Sequence, residues 1–286
     1  MDSVKKTGLV LEGGAMRGIY TAGVLDMWME HGISFDGVIG VSAGAIHGCS
    51  YVSGQKGRSI RYYKKYLKDK RLMSFSNWLR TGDLVDEKFC YHELPEVLDP
   101  FDHDAFKHSG VPFYVTCTNV ETGKAEYILM KDMREQIDHL RASASMPYVS
   151  RLVHREGKIL LDGGCADSIP IRAFQKMGYE RNVVVLTRPS DYYKKSEKTA
   201  IAGLVYRRYP NFVKTLKERA SVYNETVKAI AKMEKDGSIF VIRPSTPLGI
   251  GRMSHDMDEL MDTYERGRND ALKTMKDLLL WKNGDA

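Results

Sequence analysis

Two residues in this chain have the types and settings that nucleophilic chemistry requires. Ser42 lies in Gly40-Val41-Ser42-Ala43-Gly44, entered from the apolar run Gly37-Val38-Ile39 and left through Ala43-Gly44-Ala45-Ile46. A short β-type run, glycines two before and two after the serine, and small residues beyond predict a sharp strand-to-helix turn. Such a turn holds the hydroxyl clear of both elements, near the positive end of the following helix. The bland alternative is a serine that merely caps a helix. Asp162 ends the strand-like Lys158-Ile159-Leu160-Leu161 and is followed by Gly163-Gly164. Those glycines would let another backbone approach closely; the alternative there is an ordinary Asp-Gly turn.

A third feature could serve both. Residues 7–12 read as a buried strand that runs into Gly13-Gly14-Ala15-Met16-Arg17-Gly18, and a helix follows through Ile19, Ala22, Val24, Leu25 and Trp28. Strand, glycine loop and helix present several backbone N–H groups to one point. A dinucleotide pyrophosphate is a poor fit, because Ala15 replaces the second glycine of G-x-G-x-x-G and Asp36 stands before the second strand rather than at its end. The better fit is the oxyanion of an acyl-transfer intermediate, stabilised by donors fixed in advance.

A serine hydrolase of the Ser…Asp…His kind needs a histidine after the acid, and only His255 lies beyond Asp162. His47 sits five residues past Ser42 on the expected helix, turned away from the hydroxyl, so packing is its expected role. Without a histidine, Asp162 must itself accept the Ser42 proton, within about 3 Å and in surroundings that raise its proton affinity.

Taken together, Leu11-Glu12-Gly13-Gly14-Ala15-Met16-Arg17-Gly18, Gly40-Val41-Ser42-Ala43-Gly44 and Asp162-Gly163-Gly164 resemble the patatin-like phospholipases, from about residue 7 to about residue 190. The run Ser143-Ala144-Ser145-Met146-Pro147 also resembles the A-S-x-x-x-P that precedes that family's aspartate. The resemblance implies a patatin-like α/β/α sandwich and a serine–aspartate dyad: Ser42 as nucleophile, Asp162 as its partner, and Gly13, Gly14, Ala15, Met16, Arg17 and Gly18 as the oxyanion loop. Ala15 departs from the family's third glycine; if that position needs φ > 0, it adds strain of roughly 1 kcal/mol. Ser168-Ile169-Pro170 stands where plant members carry paired asparagines, which resembles a bacterial branch. Implied are lipid acyl hydrolysis and no metal or organic cofactor. The rival reading, motivated by Ala15, is a non-catalytic acyl-lipid or anion-binding protein on the same fold.

The elements that must hold these residues fit one main α/β unit. The chain has 286 residues, 43% of them hydrophobic, and nine prolines, enough for one large core with a mainly parallel sheet in three layers. Residues 1–190 read as the catalytic domain and 191–286 as a mostly helical extension packed on it, returning one strand near 238–244 to the sheet. Met1-Asp2-Ser3-Val4-Lys5-Lys6 meets a strand too soon for a signal peptide, and no run approaches the roughly 18–20 apolar residues of a membrane span. A soluble cytoplasmic protein is expected. Cys49, Cys90, Cys117 and Cys165 lie far apart with no metal-ligand spacing; they are expected to be reduced.

The formal charge of +6 is concentrated in residues 56–71, with eight basic residues against Asp69. Ile60, Tyr63 and Leu67 recur there at helical spacing, predicting an amphipathic helix with a basic outer face. It is either a solvated surface or a patch that attracts anionic lipid headgroups; nucleic acid is disfavoured because no recognition motif accompanies it. Residues 74–84 read as irregular. A cover over the site is expected from residues 72–106, with Phe75, Trp78, Leu79, Leu84 and Phe89 as candidates to line an acyl pocket.

Overall fold

The computed structural model describes residues 5–196 and 200–284; residues 1–4 of the N-terminal stretch, 197–199 and 285–286 lie outside it. In chain order the elements are β1 (Thr7–Leu11), α1 (Gly18–Glu30), β2 (Gly37–Val41), α2 (Ala43–Val52), α3 (Arg58–Tyr66), α4 (Phe75–Thr81), α5 (His103–His108), β3 (Phe113–Asn119) and β4 (Ala125–Met130). There follow α6 (Ile137–Ser143), β5 (Val153–Arg155), β6 (Lys158–Asp162), α7 (Ile171–Lys176), β7 (Arg181–Val185), α8 (Ala200–Val205), α9 (Pro210–Lys235), β8 (Ile239–Ile242) and α10 (Met257–Asn283). Between α4 and α5 the chain winds as a π-type helix, Phe89–Leu98, with Pro95 inside it.

One sheet runs β5-β6-β3-β2-β1-β7-β8, with β4 also on β3. The five strands β3, β2, β1, β7 and β8 are mutually parallel, while β4, β5 and β6 are antiparallel additions. Parallel strands sandwiched by helices read as continuous apolar runs, and β1 and β2 are buried at every residue. Helices cover both faces, giving the expected three-layer α/β architecture with two main apolar clusters, one on each side of the sheet.

The register of β3 brings two loops together. β4 occupies one edge of β3 from Phe113 to Thr118. The other edge is shared, because β2 ends with Val41 opposite Thr116 and β6 ends with Asp162 opposite Cys117. Two strands running in opposite directions therefore finish head to head on one edge, and the residues at their ends must meet.

The last third of the chain completes the same body. β8 extends the sheet beside β7, and α10 crosses α1 at a pair of glycines: a Cβ on Gly23 would overlap the Tyr264 carbonyl, and one on Gly267 the Tyr20 carbonyl. At that distance the side chains around the crossing can pair. Tyr20 donates to Asp270 at 2.9 Å, Tyr264 to Asp26 at 2.6 Å, and Arg268 pairs with Glu30 at 2.9 Å.

Several expectations need correction. Residues 75–81 form α4, capped by Ser74, whose side chain accepts from the Asn77 amide. α3 is shorter than the basic stretch, and its basic face is partly internal. Arg58 is buried with its guanidinium on the Asp99 carbonyl, and Arg61 grips the Asp99 carboxylate with two bonds of 2.6 and 2.9 Å. A buried carboxylate at the end of the π-type helix demands such partners; Arg61 makes its contact from an exposed position, beside the exposed Lys56, Lys64, Lys65, Lys68, Lys70 and Arg71. Among the described residues, no helix is long and apolar enough to cross a membrane.

Candidate active site

Ser42 sits at the apex between β2 and α2 with φ 52° and ψ −122°. A non-glycine residue pays about 1–3 kcal/mol for such a conformation and holds it only where its surroundings insist. They do so here through Ser143, whose Oγ accepts the Ser42 amide at 2.8 Å and donates to the Thr116 carbonyl at 2.7 Å. Two small residues make room: a Cβ on Gly44 would stand 2.6 Å from the Leu11 carbonyl oxygen, and one on Gly163 would overlap that of Thr116. Gly40, packed on the Ala45 backbone, closes the turn from the strand side.

Asp162 lies opposite Ser42 across the junction of β2 and β6, close enough for the Ser42 side chain to help hold its pKa down. Its Oδ1 accepts the Gly164 amide at 2.7 Å, and its own amide donates to Ser145 at 2.9 Å. Burial, with only 7% of the residue exposed, pushes the carboxyl above its ordinary value. Arg219, the Gly164 amide, Ser42 and Lys194 oppose that push. A desolvated but ionisable carboxylate beside a hydroxyl is what proton acceptance requires.

The glycine loop turns through a single helical turn, Ala15–Arg17, with Ala15 at φ 48°. The left-handed conformation that makes a glycine natural at this position is therefore adopted by alanine. The amides of Gly13, Arg17 and Gly18 point inward to the carbonyls of Ser168, Gly14 and Ala15. Those of Gly14, Ala15 and Met16 are left without a protein acceptor among the described residues, at the lip of the site. Glu12, at the end of β1, is buried and held by the Thr187 amide and hydroxyl and by the Tyr223 hydroxyl at 2.8 Å.

Neither histidine reading places a base at the site. His47 is bonded to the Ser59 hydroxyl at 2.9 Å, and burial lowers its pKa to about 3. His255 has its Nδ1 on the Leu67 carbonyl at 3.1 Å.

Two chambers open on Ser42 and share only Ala15, Ser42 and Met146. The first, about 370 Å³, is walled mainly by apolar groups: Met16 and Ile46 below, Leu72, Met73, Val85, Leu94 and Phe101 above, and Ile137 and Leu140 from α6. That is the lower range of small-molecule cavities. Residues 72–106 thus do provide the cover, but by other side chains than expected. Phe75 and Leu79 are 62% and 78% exposed, and of the five candidates only Leu84 borders either chamber, the second one. The second chamber, about 280 Å³, is basic, with Arg17, Arg188, Lys194, Arg219 and Arg252 around Glu12 and Asp162.

The sequence from residue 9 to residue 174 matches the family model of the patatin-like phospholipases. The chain belongs to that family. Residues 209–283 match a second model, a domain of unknown function (DUF6363). An Escherichia coli (strain K12) protein, named as the uncharacterized protein YjjU, is 28% identical over 270 residues, spanning 92% of this chain and 75% of its own length. The lysophospholipase nte1 of Emericella nidulans is 29% identical over 180 residues, 61% of this chain, which spans only 11% of that much longer protein. Among solved structures, VipD from Legionella pneumophila matches with a TM-score of 0.48 at 13% identity, over 96% of this chain and 67% of its own. The patatin family match extends over all three motifs that carry Ser42, Asp162 and the glycine loop.

Sequence reasoning missed Ser143. Its motif was visible, but a helix end stopped by Pro147 gives no hint that the serine reaches back to hold the elbow amide.

Proposed function

We propose that the protein is a lipid acyl hydrolase that cleaves carboxylic esters with a Ser42–Asp162 dyad. The observation that carries this reading is the strained Ser42 elbow, with its hydroxyl beside a desolvated Asp162 where the apolar and basic chambers join. The Ser42 Oγ attacks the ester carbonyl while Asp162 takes its proton. The carbonyl oxygen becomes an oxyanion facing the amides of Gly14, Ala15 and Met16, and the positive end of α2 lies behind it. Collapse expels the alcohol, which recovers the proton from Asp162, and leaves an acyl-enzyme. Water, deprotonated by the same carboxylate, releases the fatty acid. No step calls on a metal or organic cofactor.

The test is labelling by a fluorophosphonate together with turnover of p-nitrophenyl esters, on the native chain and on Ser42→Ala and Asp162→Asn. Labelling at Ser42 that fails in Ser42→Ala, with turnover falling about 10⁴-fold or more in each variant, is the expected result. A folded native chain that neither labels nor turns over any ester, yet retains a bound lipid, would instead support the binding-protein reading.

We further propose that the unit up to about residue 190 carries the chemistry while residues 191–286 wall one chamber, and that the protein works in the cytoplasm. The cytoplasmic reading draws on its four separate thiols, of which Cys49, Cys90 and Cys117 are pushed up in pKa by burial. The exposed lysines around α3 suit peripheral contact with anionic membrane. Binding to anionic vesicles that weakens as salt rises is expected, and equal binding to neutral vesicles would count against it.

A further inference from the structure

α9 begins well after Ser42 and Asp162 in the chain, yet two of its side chains reach the loops beside them. Arg219 and Tyr223 are four positions apart on the helix and so share a face. The Tyr223 hydroxyl donates to Glu12 Oε1 at 2.8 Å, and Arg219 donates through Nε to the Gly164 carbonyl at 2.7 Å. Glu12 is the residue before the glycine loop, and Gly164 is the residue whose amide holds Asp162 Oδ1 at 2.7 Å. One turn of a distant helix thus touches both the root of the oxyanion loop and the loop of the acid.

These contacts close a ring. The Gly164 carbonyl also accepts the Ser168 hydroxyl at 2.9 Å, and the Ser168 carbonyl accepts the Gly13 amide at 3.5 Å. Gly13 follows Glu12, which returns the path to Tyr223. The weak member is the Gly13 bond, at the outer limit of hydrogen-bond length. The bond from Tyr223 is short and falls on a carboxylate, a stronger class. Glu12 is only 2% exposed, and Thr187 holds its other oxygen through amide and hydroxyl. Without the Tyr223 hydroxyl, Glu12 Oε1 loses its only hydrogen-bond donor among the described residues. A buried oxygen left so is costly enough to move the carboxylate and the loop that follows it.

We propose that α9 positions both halves of the catalytic machinery: Tyr223 sets the oxyanion loop through Glu12, and Arg219 sets the loop of Asp162 through Gly164. This rests on the acyl-hydrolase reading and gives residues 191–286 a part in the reaction beyond walling a chamber. Neither side chain enters the bond making. The amides of Gly14, Ala15 and Met16 lie two to four residues past Glu12. A displacement of about 1 Å there or at Asp162 slows a step that needs donors and base in register. Arg219 also draws the Asp162 pKa down against the push of burial, so its charge and its bond serve the same carboxyl.

The experiment measures kcat and KM on p-nitrophenyl butyrate, at a pH above the acid limb, together with amide hydrogen exchange by mass spectrometry. Tyr223→Phe keeps the ring and removes only the hydroxyl. It is expected to lower kcat about tenfold or more with KM within about twofold of native, and to speed exchange in residues 13–18. Arg219→Gln should lower kcat by a similar factor and speed exchange in residues 163–168, while Arg219→Lys recovers most of the loss. Exchange within α9 itself should stay as in the native chain. A kcat within about twofold of native in either Tyr223→Phe or Arg219→Gln overturns the proposal and leaves the hydrolase reading intact. Exchange that rises along α9 instead of in the two loops overturns it too, since the side chains would then serve only to pack the helix. If Tyr223→Phe does not fold, Arg219→Gln and its lysine rescue decide, because Arg219 is only half-buried. Native protein that hydrolyses no ester while the two exchange patterns hold would sink the hydrolase reading and leave the tie between α9 and the loops standing.

Discussion

The apolar chamber takes most of its roof from one continuous stretch, residues 72–106, whereas the basic chamber gathers its cations from the glycine loop, the loops after β7 and before α10, and α9. Three of its five cations lie beyond residue 190. The difference separates two tasks. A cavity for a hydrocarbon chain needs only enough apolar side chains on one flap, because dispersion and water exclusion are not directional. A site for a charged group needs convergent donors, and convergence is a property of the fold rather than of any segment. Ser42 belongs to both and is held by neither; its posture depends on the strand ends and on Ser143.

That last point gives the prediction of largest effect. Ser143→Ala removes the acceptor of the Ser42 amide without touching either chamber, and kcat on a short neutral ester should fall about a hundredfold with KM little changed. A fall of less than about twofold would mean the elbow holds itself. Next in size is chain length. If the apolar chamber takes the acyl group, kcat/KM on p-nitrophenyl esters should climb about fourfold per methylene until the chamber is full. Ile46→Trp, which narrows it, should move the plateau to shorter chains; a flat series would break the comparison between the two chambers.

The acid limb of activity sharpens it further. Asp162 must be ionised to accept a proton, so kcat/KM should decline as pH falls through a value above that of an ordinary aspartate. The sign for stability is opposite. A carboxyl whose pKa is raised by folding binds protons more readily in the native state, so its penalty is full at neutral pH and is relieved as pH falls through the raised value. Asp162→Asn, neutral throughout, should therefore melt at a higher temperature than the native chain at pH 7, and an equal or lower Tm would argue against a desolvated carboxylate. The smallest effect is expected at Ala15, where Ala15→Gly relieves a left-handed φ and should add up to about 1 kcal/mol to unfolding free energy in denaturant.

The parts legible in the sequence were those that backbone geometry forces on local residue choice. The strand running into the Ser42 turn, the Asp162 strand end and the glycine loop each need small residues at fixed spacing, and each stands where its pattern indicated. A mainly parallel sheet and the return of β8 followed from apolar runs alternating with helical periodicity; the order of the strands did not. What was not legible depended on distant partners. Arg58 read as surface charge because Asp99, forty residues away, was not visible as its partner; Arg61 does lie at the surface, but its pairing with the same carboxylate was hidden for the same reason. Phe75 and Leu79 read as pocket lining because hydrophobicity alone does not say which face of α4 turns outward. The basic chamber escaped notice altogether: outside residues 56–71 the charge nearly cancels along the chain, and only in space do Arg17, Arg188, Lys194, Arg219 and Arg252 stand together.

The glycine crossing of α1 and α10 bears on how the molecule is made. Tyr20 and Asp270 are separated by 250 positions and Asp26 and Tyr264 by 238, yet they fasten α1 to α10. Contacts of such sequence separation close slowly, because the entropy of a long loop must be lost before they form. During synthesis β1 and α1 leave the ribosome more than 200 residues ahead of α10. Until α10 arrives, the face of α1 around Gly23 lacks its cover, and exposed apolar surface of that kind favours aggregation.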